Sequence, residues 1–505
     1  MTRKWWTLAA VSIATFMLLL DITVVNTALP SIRKDLGGSF ADLQWVIDAY
    51  TLALAAVVLM AGTIADRVGR KRTFVLGLGI FSLASGAIAL SPSTEFLIGA
   101  RAVQGLGGAI MFALSLALIA QEFAPGRARA TAMGVYGATI GVAVATGPLV
   151  GGALTDSLGW ESVFYLNVPI GVAAIAMTLA RVRESRDPRP AGADWPGTFT
   201  FSASLFMLVL ALVRGNQDGW GSAHIVALLA GSVVLLGAFV LIELRSKDPM
   251  LPLDLFRNPS FTGVQIAAFA ISSTLFALFL YLTLYLQGFL GNSPLDAGLK
   301  YLPVSVTVFF VSGAAASLVP RVPARILMSI GLGLVGLGLL LMGGREASDS
   351  WSALLPGFIV TGAGAGLVNV VIADVALSVV PKERSGMASG INDTFRQVGV
   401  SVGIAAWGAL FLHNGASKVE SITGASGSQP RHLVDAVSNG QVPAGSGGGI
   451  GSAARDGFLS GFNEIMLVGG GVALAGALAV LMLVREHAIE RGQDEAMLVP
   501  EPTAA

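Results

Sequence analysis

The run Gly62-Thr63-Ile64-Ala65-Asp66-Arg67-Val68-Gly69-Arg70-Lys71-Arg72 lies between two apolar stretches, about residues 44–65 and 73–91. Each is close to the 20 residues a helix needs to cross a bilayer. So short a charged segment between them predicts a helical hairpin across a membrane. Glycines at both ends, Gly62 and Gly69, allow a tight turn and close helix approach. Asp66 can favour the N-terminus of a neighbouring helix or pair with a basic residue. Such contacts exist in one conformation and break in another, which makes Gly62, Asp66, Arg67, Gly69 and Arg70 candidates for a conformational gate. As a bare basic cluster the same loop is a cytoplasmic anchor.

Working outward, composition agrees. The chain has 505 residues, 54% hydrophobic and only 12% charged. Soluble chains carry about 25% charged residues, so this is an integral membrane protein. Thirty-one basic residues balance 31 acidic ones, leaving nothing to attract nucleic acid. The absence of cysteine excludes disulfides, thiolate metal sites and thiol catalysis, and none of the four histidines has metal-ligand spacing to another. No cofactor or metal is expected, and no nucleophile–base pair points to an enzyme. Gly362-Ala363-Gly364-Ala365-Gly366 has the spacing of a nucleotide-binding run, but it lies within a span and lacks a Walker lysine. Arg3-Lys4 before an apolar run also describes a signal peptide; the run's length of about 25 residues and its Asp21 mark an uncleaved first span.

The apolar pattern predicts fourteen spans, at about 5–29, 44–65, 73–91, 95–120, 131–153, 161–180, 196–213, 223–243, 261–287, 300–319, 325–342, 354–376, 388–412 and 464–484. Alternate loops hold Arg67, Arg70, Lys71 and Arg72; Arg127 and Arg129; Arg181, Arg183, Arg186 and Arg189; Arg245, Lys247 and Arg257; Lys382 and Arg384. The positive-inside rule then places both termini in the cytoplasm of a multi-pass inner-membrane protein. The Gly- and Ser-rich segment 413–463 reads as a flexible outer loop and residues 486–505 as a cytoplasmic tail. Arg321 and Arg325 echo the basic loop at Arg67–Arg72. The expected all-α fold is two six-helix bundles, 1–190 and 259–485, with two inserted helices in 191–258. Parallel halves of this kind place substrate at their interface.

Leu20-Asp21-Ile22-Thr23-Val24-Val25-Asn26-Thr27-Ala28-Leu29-Pro30 closes the first span. A carboxylate near a bilayer centre costs roughly 2.5–3.5 kcal/mol, so Asp21 is a candidate proton or ligand site. Counting at about 1.5 Å per residue, Asp21, Asp48 and Arg101 fall at one depth in the outer half. Arginine lowers a carboxylate's pKa and burial raises it, so a carboxylate between the two can take up and release protons. Asp21 is the expected carrier and Arg101 its switchable partner, with a static lock the alternative; Asp48 is a second proton site or a cation recogniser. Gly137, Gly141 and Ala145, then Gly147 and Gly151, form a small-residue face, and Pro148 kinks it.

The Gly62–Arg72 loop resembles the signature loop of the major facilitator superfamily. Leu-Asp-x-Thr-Val-Val-Asn-x-Ala-Leu-Pro is similar to the first-span motif of its fourteen-span drug:proton antiporter branch. Arg101-Ala102-Val103-Gln104-Gly105, Gly141 through Gly147-Pro148-Leu149-Val150-Gly151-Gly152, and Asn167-Val168-Pro169-Ile170-Gly171 resemble its fourth-, fifth- and sixth-span motifs, and the thirteenth span its Arg-Gln-x-Gly stretch. Departures are Trp160-Glu161-Ser162 where the family often has Trp-Arg-Trp, and a second-half loop without the acidic residue.

The resemblance implies a monomeric, proton-coupled exporter of amphipathic drugs or antibiotics, working by alternating access in the lipid bilayer. Asn26, Trp45, Gln104, Asn369, Asn392, Arg396 and Gln397 are candidate cavity residues, with Phe310, Phe358 or Trp407 as apolar lining. Asp374 is a further gate candidate, and Asp393 is expected toward the inner loop. Export of an endogenous metabolite, siderophore or lipid uses the same residues with another pocket; a non-transporting membrane sensor is the other class.

Overall fold

The computed structural model describes residues 2–123, 127–186, 192, 194–318, 321–378, 385–441 and 449–485. In lipid no water satisfies backbone amides, so apolar runs coil into helices. Among the described residues every regular element is helical. The long ones are α1 (Arg3–Leu36), α2 (Phe40–Val68), α3 (Arg70–Ala89), α4 (Thr94–Glu122), α5 (Arg127–Leu158), α6 (Glu161–Arg181), α7 (Trp195–Asp218), α8 (Ala223–Arg245), α9 (Pro259–Phe289), α10 (Pro294–Ala315), α11 (Ala324–Met342), α12 (Leu355–Ser378), α13 (Ser385–Thr423) and α14 (Ile450–Leu483). Thirteen are long and apolar enough to cross a membrane, and the bent α5 makes a fourteenth.

Local chemistry sets the breaks. Gly37 and Gly38 turn the chain at φ +75° and +116°, then Ser39 and Asp42 form a reciprocal capping box that starts α2. One residue, Gly69 at φ +123°, separates α2 from α3. In α5 the pieces Val135–Ala143 and Thr146–Leu158 meet at 43°. Pro148 causes this bend, because it has no amide for the carbonyl four residues back. Pro169 interrupts α6 at Leu166 in the same way. Helix α9 carries two π-helical turns, Ser272–Phe276 and Leu284–Phe289.

Helices α1–α6 and α9–α14 form the two halves. Arg3 Nε donates to the carbonyl of Arg181, which puts the start of α1 and the end of α6 on one face, the terminal face. At the opposite, far face a single apolar core crosses between the halves. There Leu20, Val24, Leu29, Phe40 and Phe164 join Tyr281, Phe289, Phe411 and Phe458, and Phe40 stacks on Phe411 at 5.6 Å. Toward the terminal face the first half keeps a core of its own around Leu8, Val11, Phe74, Leu114 and Phe123. The molecule is therefore closed on its far face.

The segment 413–463 differs from the expected flexible loop. Helix α13 runs on to Thr423, a short helix covers Gln429–Ser438, and α14 begins at Ile450. The short helix buries Val434 and Val437 against α13 and α14, and its Asp435 accepts a forked pair of bonds from Arg33 of α1 at 2.6 and 2.8 Å. Apolar residues at that spacing specify a packed helix despite the nearby glycines; the Gly445–Gly448 run lies outside the described residues.

Helix α7 packs on α2 and α13 together, through Leu205, Val209 and Val213 against Ala55 and Ala405. Helix α8 packs on α7 and exposes Val226, Val233, Val234, Leu241 and Leu244, an apolar face suited to lipid.

Candidate functional site

Four helices of the first half converge on Asp21, which is fully buried. Its Oδ2 accepts from Arg101 Nη1 at 2.6 Å; its Oδ1 accepts from Gln104 Nε2 at 2.9 Å and Asn167 Nδ2 at 2.7 Å. Arg101 of α4 also donates to Gln104 Oε1 at 2.6 Å and, through Nε, to the carbonyl of Val46 at 3.0 Å. Ser85 of α3 accepts from Gln104 and Asn167. The Tyr50 ring lies 4.2 Å from the guanidinium carbon, so a cation–π contact adds to the ion pair in a buried site. A charge pair with this many donors is stable in the interior where a bare carboxylate is not.

The structure thus brings Asp21 and Arg101 together and leaves Asp48 outside their network. It also moves Gln104 from the expected cavity into the ion-pair shell, with no exposed surface. Ser85 and Asn167 were not legible as partners. A lone serine on a small-residue helix gives no signal, although the amide in Asn167-Val168-Pro169 is an expensive residue for a span.

A second polar cluster lies in the other half. Arg396 of α13 donates to Asn392 Oδ1 at 3.2 Å and to Asn369 Oδ1 of α12 at 3.0 Å, and Asn392 donates to Gln265 Oε1 of α9 at 3.3 Å. Asp393, eight residues into α13, is partly open and within electrostatic reach of Arg396 and of Tyr136 on α5 in the other half. Gln397 makes no side-chain hydrogen bond to a described residue. Trp45 corrects another expectation: its ring lies 5.7 Å from that of Phe206, so the inserted α7 covers it. Asn26 turns back to donate to the Ile22 carbonyl at 3.2 Å. Phe310 is exposed, Phe358 is buried, and buried Trp407 donates to the Ser273 carbonyl within the first π-turn of α9. The side chain of Asp374 lies outside the described residues.

In the α2–α3 loop Asp66 accepts from Arg70 at 2.7 Å, and Arg67 is exposed. The group at the N-terminus of α3 is instead Glu184, whose two oxygens accept from the amides of Lys71 and Arg72 at 3.0 and 3.2 Å. Its signal was a carboxylate flanked by Arg183 and Arg186 in an arginine-rich stretch. Gly69 is required by its positive φ; a Cβ there would also meet the Glu184 carboxyl at 2.7 Å, the movable end of that side chain. A Cβ on Gly62 would meet open space, so close approach is not its role in this state. Glu184→Gln is expected to weaken the loop by about 0.3–1 kcal/mol, the worth of a charge at a helix N-terminus. Thermal unfolding of the purified variant in low and high salt measures it; a loss that high salt does not shrink would contradict the electrostatic account.

The small-residue face of α5 divides. Gly147 and Gly151 seat on Thr23, Val24 and Thr27 of α1, and Gly152 meets the carbonyl of Pro294 on α10. In return the carbonyl of Pro148 sits where Gly298 of α10 has no side chain. Gly137 and Gly141 face open space, which corrects their place in the packed face; the Ala145 side chain lies outside the described residues.

Two six-helix bundles joined at one face, the first with an ion pair buried inside it, have the architecture of a membrane transporter. The chain belongs to the Major Facilitator Superfamily, whose family model matches residues 11–404. It is 37% identical over 404 residues to the Multidrug resistance protein Stp of Mycobacterium tuberculosis (strain CDC 1551 / Oshkosh), covering 80% of this chain and 75% of that one. It is 33% identical to the Tetracenomycin C resistance and export protein of Streptomyces glaucescens, over 99% of this chain and 95% of that one. A crystal structure of a bacterial homologue of the human lysosomal transporter Spinster, inward-facing and occupied, superposes with a TM-score of 0.67 at 15% identity, covering 97% of this chain and 98% of that one.

Proposed function

We propose that this protein is a proton-coupled antiporter that exports amphipathic drugs or antibiotics across the cytoplasmic membrane, acting as a monomer with both termini in the cytoplasm. The observation that carries the reading is the fully buried Asp21–Arg101 pair at 2.6 Å. Protonating Asp21 removes its attraction for Arg101. The guanidinium keeps the Val46 carbonyl, Gln104 Oε1 and the Tyr50 ring, so the cation is never left bare while the acid changes state. Loss of the pair loosens α4 from α1, the two helices it joins. A charge crossing 100 mV contributes about 2.3 kcal/mol, so proton entry is an adequate drive. The Asn369–Arg396–Asn392 cluster, with Asp393 beside it and Tyr136 of the other half opposite, supplies polar groups for one end of an amphipath between the halves.

Ethidium movement in everted vesicles or proteoliposomes under an imposed pH gradient tests this. The native chain is expected to move the dye and Asp21→Asn to lose gradient-driven movement. Movement that survives Asp21→Asn places the proton elsewhere. The tetracenomycin-exporting relative matches nearly the whole chain, which favours a second reading, a dedicated exporter of one endogenous compound. That reading becomes first if the native chain moves no broad-range dye.

A further inference from the structure

Asp48 has no exposed surface, and neither of its carboxyl oxygens has a hydrogen-bond partner among the described residues. Asp21, equally buried on its own helix, has three donors. Asp48 sits on the face of α2 that closes against the second half. Four residues before it, Gln44 Nε2 donates to the carbonyl of Ile404 on α13 at 2.9 Å and to the Tyr281 hydroxyl of α9 at 3.4 Å. Three residues after it, Thr51 Oγ1 and Ser401 Oγ of α13 are 2.5 Å apart. Tyr281 in turn donates to the Ile404 carbonyl at 2.6 Å. Two polar fastenings between the halves therefore bracket a carboxyl group that has none.

The charged and titratable groups around it are few. Tyr281 of α9 is within electrostatic reach. From α4, Arg101 is spent on Asp21, Gln104 and the Val46 carbonyl. From α1 comes Asp21 itself, and from α7 the Arg214–Asp218 pair of its last turn. On α3 the charges, Arg70, Lys71 and Arg72, lie at the terminal face, and α13 offers the hydroxyl of Ser401 and the Ile404 carbonyl. No cation meets Asp48 among the described residues.

We propose that Asp48 is a proton-operated latch for the far face: it enters the closed interface as the neutral acid, and its ionised form holds that interface apart. Burying a carboxylate without donors or a counter-charge is far costlier than burying the acid. When α2 and α13 separate, water reaches the group and it ionises in the ordinary carboxylate range. The closed state thus binds one proton more than the open one, so closing is favoured as pH on the far face falls and weakened as it rises. The latch takes its proton from the far face and returns it there, so it sets when the gate shuts without carrying charge across. Asp21 remains the carrier in the antiport reading. The latch rests on that reading only for alternating access.

The chain has no cysteine, so one can be placed cleanly. Ser401→Cys in proteoliposomes is labelled from the far face with a membrane-impermeant maleimide at pH values between about 5 and 8. Rates are normalised to Ser426→Cys, an exposed position, because thiolate formation itself depends on pH. The normalised rate is expected to rise with pH, by up to about tenfold per unit for one linked proton. Asp48→Asn and Asp48→Leu, both neutral, are expected to label slowly with no pH dependence. Asp21→Asn in the same background is expected to keep the native slope, which separates failure of the latch from failure of the antiport assignment. A native rate that does not vary with pH, or a slope that persists in both Asp48 variants, overturns the proposal.

Discussion

Arg101→Met is expected to cost about 3–5 kcal/mol of stability and to end export, because it removes one partner of a buried ion pair and leaves the other in place. Asp21 would keep Gln104 and Asn167 as donors, but the Val46 carbonyl and Gln104 Oε1 would lose theirs, and the Tyr50 ring its cation. The test is a double variant. Asp21→Asn with Arg101→Met buries no charge, so it should unfold at a higher temperature than Arg101→Met alone while still failing to couple transport to a pH gradient. Equal instability of the single and double variants would mean that the arginine matters for its packing and not for its charge.

Gly151→Val is expected to be the second severe change. A Cβ there would lie 2.7 Å from the Val24 carbonyl and 2.8 Å from its Cα, both backbone atoms that cannot swing aside. Overpacking of this kind costs about 1–3 kcal/mol and here forces α5 off α1. At Gly152 the obstacle is the Pro294 carbonyl of the other half, so Gly152→Val should hinder closure of the far face more than it lowers stability. Efflux rate and thermal unfolding, measured together, separate the two effects. The control is Gly141→Ala, which faces open space and should be neutral or slightly stabilising, since alanine is favoured over glycine in helices by up to about 1 kcal/mol. A large loss of export in Gly141→Ala would show that the open side of α5 closes on something during transport.

The fold was largely legible in the chain. Twenty-residue apolar runs and short basic loops leave few alternatives once the solvent is lipid, and most helices fall within several residues of their expected ends; the exceptions flank the 413–463 segment, where α13 runs on to Thr423 and α14 begins at Ile450. The segment 413–463 was misread because glycine and serine content was weighed above the spacing of Val434 and Val437. Within the site, residue types that are expensive in lipid announced themselves: Asp21, Arg101, Asn392 and Arg396 all lie in polar clusters. What the sequence could not supply was direction around each helix axis. Gln104 and Trp45 look like cavity residues by type, yet one turns into the ion pair and the other onto an inserted helix. Glu184 and Gln44 were missed for the same reason, since their value depends on partners more than a hundred residues away.

The placing of α7 across α2 and α13 has a consequence for solutes that arrive by two-dimensional diffusion in the leaflet. A bundle of two equal halves has two seams, related by its pseudo-symmetry, through which an oily molecule meets the interior sideways. Here one seam lies behind a wall two helices thick, α7 and then α8, while the other, between α5 and α10, has no such screen among the described residues. The flanks are chemically unequal as well. The screened one presents valine and leucine outward, and the bare one is lined by glycine and a proline-bent backbone. To a hydrophobic compound dissolved in the membrane, the protein has a front and a back.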